Sequence, residues 1–154
     1  MSETKKNNLP NSFNIRVYGL FINDNNELLL TDEFRLGMKM TKFPGGGLEF
    51  GEGTIDCLKR EALEEFGQEI KEIKHFYTSD FYQQAYYFKD TQLISIYYFF
   101  KFKDKIKFRI SEKPFDFPEN IEGGQSFRFV GLEKLKPEDL SFPIDKKVLE
   151  LLLA

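Results

Sequence analysis

Four glutamates placed around one arginine are the part of this chain that could do chemistry: Glu52, Glu61, Glu64 and Glu65 about Arg60. They lie in residues 42–70, KFPGGGLEFGEGTIDCLKREALEEFGQEI, just after the run Gly45-Gly46-Gly47. On a helix advancing about 100° per residue, Glu61, Glu64 and Glu65 fall within roughly 100° of one another. Like charges at three- and four-residue spacing repel by roughly 0.2–0.5 kcal/mol a pair. Two readings account for that cost. A glutamate-rich run is commonly a solvated helix face. The other reading is a divalent-cation site, because hard cations such as Mg²⁺ take carboxylate oxygens together with substrate phosphates and water. Glu52 would add a carboxylate from the preceding loop, and Arg60 could hold one of the glutamates through a bidentate pair.

The helix that must carry these groups is legible from its own residues. Thr54 is the expected N-cap, Asp56 suits the positive end of the helix dipole, and Gly67 supplies the stop. Ile55, Leu58, Ala62 and Phe66 recur at helical spacing as an apolar stripe with Leu63 at its margin. Ahead of the helix, the glycines let the backbone come close to a metal ion or phosphate where a side chain would obstruct.

The spacing favours the cation site. Gly46-x5-Glu52-x7-Arg60-Glu61-Ala62-Leu63-Glu64-Glu65-Phe66-Gly67 resembles the signature of the Nudix hydrolases, the MutT-like family. The next position is usually apolar in that family and is Gln68 here, with Ile70 able to take over its packing. The resemblance implies a hydrolase that cleaves a nucleoside diphosphate linked to another group, with Mg²⁺ or Mn²⁺ as cofactor. It places Glu61, Glu64, Glu65 and Gly46 at the metal. Glu52 would assist as a ligand through water or as the partner of Arg60. The general base is not one fixed position in the family: Glu64, Glu65 or a glutamate on a later loop could serve. The fold it implies is α/β (α+β), an α/β/α sandwich with a mixed, curved β-sheet between helices. A non-catalytic Nudix-fold nucleotide sensor is the alternative, disfavoured because no box carboxylate is missing. An isoprenoid diphosphate isomerase of the same fold is disfavoured because its cysteine would have to lie outside the box helix.

Length and composition set the frame. The chain has 154 residues, 41% apolar and 31% charged, which suits one domain with a proper core. We expect a flexible tail over residues 1–12 and a single Nudix domain over 13–154. The net charge of −3 gives no sign of a general affinity for nucleic acid. With 18 Phe and 7 Tyr, most aromatic side chains must be core. Cys57 is the only cysteine, which excludes an intrachain disulfide and reads as a quiet thiol. The polar N-terminus has no secretory h-region and no run reaches the length of a membrane span, so the cytoplasm is the expected compartment. The expected partner is a small-molecule nucleotide, with no nucleic acid and no membrane; a homodimer stays open.

Along the chain, residues 15–22 and 27–31 flank the turn Asn23-Asp24-Asn25-Asn26 and read as a β-hairpin. Arg16 within it is either an edge residue or a phosphate or base contact. Residues 32–42 read as a link to the box, where Arg35, Lys39 and Lys42 could meet phosphates or simply be solvated. Residues 69–77 form a candidate strand; the lone His75 in it is structural. Residues 79–88 hold Phe81, Tyr82, Tyr86 and Tyr87. Relatives place an aromatic or proline that tracks substrate class near Tyr82, and core packing is the other reading. Residues 93–102 should be a central strand. Residues 103–120 read as a loop with a short strand at 106–110. Glu122, with Glu119 as rival, is matched by the resemblance to an extra metal ligand or base; a turn carboxylate beside two glycines reads as well. Residues 131–136 could turn once as a short helix, and 144–152 form an amphipathic C-terminal helix. In relatives the loop just before this helix can touch the base, and the resemblance makes Asp145 the candidate for that contact.

Overall fold

The protein, seen in a computed structural model, is described for residues 9–119 and 121–154. Its strands are β1 (Ser12–Leu20), β2 (Glu27–Arg35), β3 (Met38–Lys42), β4 (Gly45–Gly47), β5 (Ile70–Thr78), β6 (Thr91–Phe102) and β7 (Gly124–Gly131). Among the described residues the helices are α1 (Thr54–Phe66) and α2 (Pro143–Leu153), with a 3-10 turn at Pro137–Asp139. One sheet runs β4-β1-β6-β5 and the other β3-β2-β7. Pairing is antiparallel except for β1 with β6, which run parallel in register from Ser12 opposite Thr91 to Leu20 opposite Phe99. This is the expected mixed α/β/α arrangement, its sheet divided in two.

Alternation along the strands builds two cores, one under each helix. Val17, Leu29, Phe100 and Phe102 pack with Leu58, Ala62 and Phe66 of α1. Tyr18, Leu20, Leu28, Leu30 and Tyr97, on the opposite faces of the same strands, pack with Ile144, Val148 and Leu149 of α2. The aromatic residues are largely interior as expected; Phe66 meets Phe108 and Phe127 at centroid distances of 4.5 and 4.8 Å.

Several local expectations are corrected. β1 and β2 are not a hairpin: they belong to different sheets and share only a bridge between Ile22 and Leu28 beside the turn. The apolar residues on both faces of each strand feed separate cores, so the chain changes sheet at the turn. Arg16 is consequently not on an edge, since β1 lies between β4 and β6. Residues 32–42 are not a link but a true hairpin, β2 to β3, turning at Leu36 and Gly37. Residues 106–110 form no strand, although Ile106, Phe108 and Ile110 still pack on the α1 core. Gln68 holds that segment instead, donating to the Lys105 carbonyl at 3.1 Å and accepting from the Lys107 N–H at 2.7 Å. The departure from an apolar residue thus has a use, and Ile70 is buried as expected. Residues 132–134 make a turn, not a helix. Of the expected tail, residues 1–8 lie outside the described part, while Asn11 and Ser12 donate to the Asp90 carbonyl and Ser12 opens β1.

A buried contact ties α2 to the sheet: the Tyr97 hydroxyl donates to the Asp145 carboxylate. Burial pushes the Asp145 carboxyl up to about 6, against the lowering effects of that bond and of Lys42. The folded protein therefore binds this proton more tightly than the unfolded chain. That contribution is fully present below the ordinary Asp range and is lost as pH rises through about 6. Asp145→Asn abolishes the slope while keeping an acceptor for Tyr97. In urea unfolding, its stability relative to the native protein should improve by about 2–3 kcal/mol between pH 3 and pH 8.

Candidate active site

Helix α1 starts one residue earlier than its hydroxyl suggests. Gly53 is the N-cap, extended at φ −81° and ψ 171°, and the Asp56 carboxylate accepts from its N–H at 3.0 Å. Thr54 instead exchanges a hydrogen bond with the Tyr98 hydroxyl at 2.6 Å. At the other end Gly67 takes the left-handed conformation, φ 66°, and its N–H reaches the Leu63 carbonyl at 3.0 Å. The buried stripe is Cys57, Leu58, Ala62 and Phe66; Ile55 and Leu63 are exposed. Cys57 replaces Ile55 because β4 covers the helix there, the thiol donating to the Gly47 carbonyl at 3.5 Å. Burial and the neighbouring Glu52 push that thiol up to about 12, so it is inert at neutral pH.

Arg60 is the hub of the box. Its Nε and Nη2 donate to the two oxygens of Glu52 at 3.0 and 2.7 Å, a bidentate fork. Nη2 also reaches the Gly47 carbonyl at 2.9 Å. Nη1 donates to Glu61 at 3.0 Å and to Glu64 at 3.2 Å. The Arg60 hydrogen bonds, with a further bond from the Glu49 N–H, hold the Glu52 carboxyl down at about 2. The same contacts raise the Arg60 guanidinium above its ordinary range. One cation thus offsets the repulsion among the carboxylates that share its face.

Glu65 turns the other way. Its Oε2 is buried with no hydrogen-bond partner, and burial pushes its carboxyl up to about 8 despite the opposing charge of Lys42. Gly46 lies beneath Glu61: a Cβ there would fall onto the Glu61 carboxylate. At Gly45, with φ 149°, a Cβ would strike the Val17 carbonyl. Gly46 is therefore the condition for α1 to seat Glu61 against β4, and Gly45 the condition for β4 to lie close on β1.

Beside the box opens a cleft of about 490 Å³, within the size range of small-molecule sites. Arg16, Arg35 and Lys42 supply cations to its wall, and Tyr86, Tyr87, Phe88 and Phe142 supply aromatic surface. Arg16 stands opposite Gly47 in the β1–β4 pairing, so the cleft's inner end meets the box. Asp145 lies at its floor, almost wholly buried. Glu122 lies on its rim, where its Oε1 accepts from the Leu36 N–H at 2.6 Å and so caps the β2–β3 turn. Tyr82 is exposed and is not part of the cleft wall, which Tyr86 and Tyr87 line.

A model of the NUDIX domain matches residues 13–152. The chain belongs to the Nudix family. Solved structures of similar fold include a MutT Nudix hydrolase from Burkholderia pseudomallei, with a TM-score of 0.69 and 14% identity over 91% of this chain and 98% of that one. A MutT structure from work on Aliivibrio salmonicida and Vibrio cholerae gives a TM-score of 0.65 and 20% identity, covering 92% and 98%. A Nudix hydrolase from Nitrosomonas europaea gives 0.65 and 18%, covering 89% and 86%. By its family this Nudix protein is a pyrophosphohydrolase.

Nudix hydrolases generally use a divalent metal. The donor set here fits one: hard carboxylate oxygens, among them the orphaned Glu65 Oε2, beside a backbone that no Cβ obstructs. As the side chains stand, no three His, Cys, Asp or Glu residues converge into a ready cage among the described residues. Arg60 binds Glu52, Glu61 and Glu64.

Of the residues singled out from sequence, Glu52, Arg60, Glu61 and Glu64 form one network with Gly46 and Glu65 beside it. Arg16, Arg35, Glu122 and Asp145 line the cleft. Two groups were missed or undervalued: Glu33, buried in the cleft wall, and Lys42, buried next to it. Alternation of Thr31, Glu33 and Arg35 on one face of β2 was the available signal, hidden by reading residues 32–42 as a link. Gly46→Ala has no backbone strain to meet, but it must displace the Glu61 carboxylate. It should lower turnover roughly a hundredfold while circular dichroism and the melting temperature remain close to native.

Proposed function

We propose that the protein hydrolyses a pyrophosphate bond in a nucleoside diphosphate linked to another group, with Mg²⁺ or Mn²⁺. Nucleotide sugars, ADP-ribose, dinucleoside polyphosphates and oxidised nucleoside triphosphates are the substrate groups to compare. The observation that carries this reading is the junction of the Glu-rich box with a cleft holding three cationic side chains and an aromatic wall. Cations along the wall suit the phosphates of an extended ligand, and aromatic rings suit a base.

Glu61, Glu64 and Glu65 would hold the metal, which when bound offsets phosphate charge and lowers the pKa of bound water. The residues of the chain do the rest. Arg60 keeps Glu52, Glu61 and Glu64 in place. Glu64, the most exposed of the helix carboxylates, is proposed to take the proton of the attacking water. The new oxygen–phosphorus bond forms as the bridging bond breaks, and the leaving phosphate carries away the bridging oxygen. A small-molecule nucleotide is the partner, and the inert buried thiol of Cys57 suits the cytoplasm proposed as compartment.

The test is phosphate release, coupled to a phosphatase, from the four substrate groups with Mg²⁺ and with Mn²⁺. Metal-dependent release from one group is expected, with Glu65→Gln and Glu64→Gln each lowering turnover by roughly two orders of magnitude or more. Silence across the panel, with nucleotide binding retained, would replace this reading by the sensor. On the active substrate, Tyr86→Ala should raise the Michaelis constant roughly tenfold, the scale of a lost base stack. Tyr82→Ala should leave it unchanged.

A further inference from the structure

Glu33 and Lys42 form a buried ion pair in the cleft wall, with Nζ 3.5 Å from Oε1. Both residues are about 5% exposed, Glu33 at 4% and Lys42 at 5%. Glu33 stands opposite Met40 and Lys42 opposite Thr31 in the β2–β3 register, so they are diagonal neighbours on one face of the hairpin. On the other side Gln125, opposite Glu33 in β7, donates to the same Oε1 at 3.0 Å. Oε2 of Glu33 has no partner. A carboxylate and an ammonium so buried cost more in desolvation than a single long ion pair returns, so a core role alone explains them poorly.

Their position supplies a reason. Lys42 directly precedes Phe43, Pro44 and the glycine strand of the box. Its ammonium lies 5.8 Å from the centroid of the Tyr18 ring in the cleft and is close enough to Glu65 to act on its charge. A ligand with its pyrophosphate at the box and its remaining group in the cleft must pass this ammonium. A lysine stem has four rotatable bonds, and left to itself it would place its charge in many ways. Glu33, fixed by Gln125 and by the sheet, narrows those to one.

We propose that Glu33 is a positioning residue that holds Lys42 at the junction of cleft and box, where the Lys42 ammonium takes a substrate phosphate. The inference rests on the hydrolase reading and adds to it a specific phosphate contact and the residue that orients it. Lys42 meets Glu33 as an ion pair through Oε1, which leaves its ammonium protons for phosphate oxygens.

The test uses the full chain with inorganic pyrophosphate as probe, its dissociation constant measured by titration calorimetry at fixed Mg²⁺. Glu33→Gln keeps the shape and a carbonyl oxygen for Gln125 but removes the charge that holds Lys42. It should weaken pyrophosphate roughly tenfold, raise the Michaelis constant by a similar factor and leave turnover within about twofold, in protein that circular dichroism shows to be folded. Lys42→Met should weaken pyrophosphate as much or more, and Lys42→Arg should restore most of the affinity. Because Lys42→Met strands a buried carboxylate and so costs stability, Glu33→Gln/Lys42→Met is made beside it. The double variant should bind no more weakly than Lys42→Met, because Glu33 acts only through the Lys42 contact that is already lost. Native pyrophosphate affinity in Glu33→Gln, or additive losses in the double variant, would overturn the inference. If either result comes with intact hydrolysis by the native protein, the proposed function stands and only this inference falls. A native protein that neither binds pyrophosphate nor hydrolyses the panel overturns both.

Discussion

The structure of the site depends on a single guanidinium. Arg60 projects from the middle of α1 and binds forward to Glu52 in the loop, back across to the Gly47 carbonyl, and along its own helix to Glu61 and Glu64. It joins the loop, β4 and the helix at once. A lysine could not do so, because one ammonium cannot supply a planar fork to Glu52 and still reach two more carboxylates and a backbone oxygen. The glycine strand and the arginine are complementary constraints. Gly46 allows the helix to approach closely, and Arg60 makes the resulting crowding of negative charge tolerable.

The same economy does not extend to the interior side of the helix. Glu65, Glu33 and Asp145 are carboxylates enclosed by protein, and Lys42 is the cation nearest to them. Two of these carboxylates keep an oxygen with no hydrogen-bond partner. Such atoms cost about 1–3 kcal/mol each where nothing satisfies them, and they concentrate where the cleft meets the box. Stability is given up here and recovered in the two apolar cores, whose Phe66, Phe102, Phe108 and Phe127 cluster needs no polar partner at all. Unsatisfied carboxylate oxygen at one place and dense aromatic packing elsewhere is the division expected of a protein whose ligand completes its site.

The box was legible in the sequence because its geometry is local. Helical period, a glycine stop at Gly67 and fixed spacing from Gly46 to Glu65 determine which groups face each other without reference to the rest of the chain. The cleft was not, because its walls come from β1, the β2–β3 hairpin, residues 83–88 and the start of α2, joined only by tertiary structure. Tyr82 and Tyr86 differ by one helical turn in sequence count, yet in an irregular segment no period says which of them faces inward. The β1–β2 turn misled for a related reason. Asn23 to Asn26 do form a turn, with the Asn23 side chain accepting from the Asn25 and Glu27 N–H groups, but a turn does not state whether the strands it joins share a sheet. Gln68 looked like a blemish in the motif and is a staple for the segment beyond β6.

The parallel pairing of β1 with β6 has a consequence for how the chain is made. Ser12 and Thr91, which meet at one end of that pair, are 79 residues apart. During synthesis β1 emerges early, and until β6 follows its only sheet neighbour is the three-residue β4. A long apolar strand waiting in that condition is a template for pairing with other nascent chains. Arg16 and Asn14 interrupt it on one face. The charge that lines the cleft in the finished protein is thus also the charge that interrupts this apolar strand while its partner is missing, where charged residues disfavour strand aggregation.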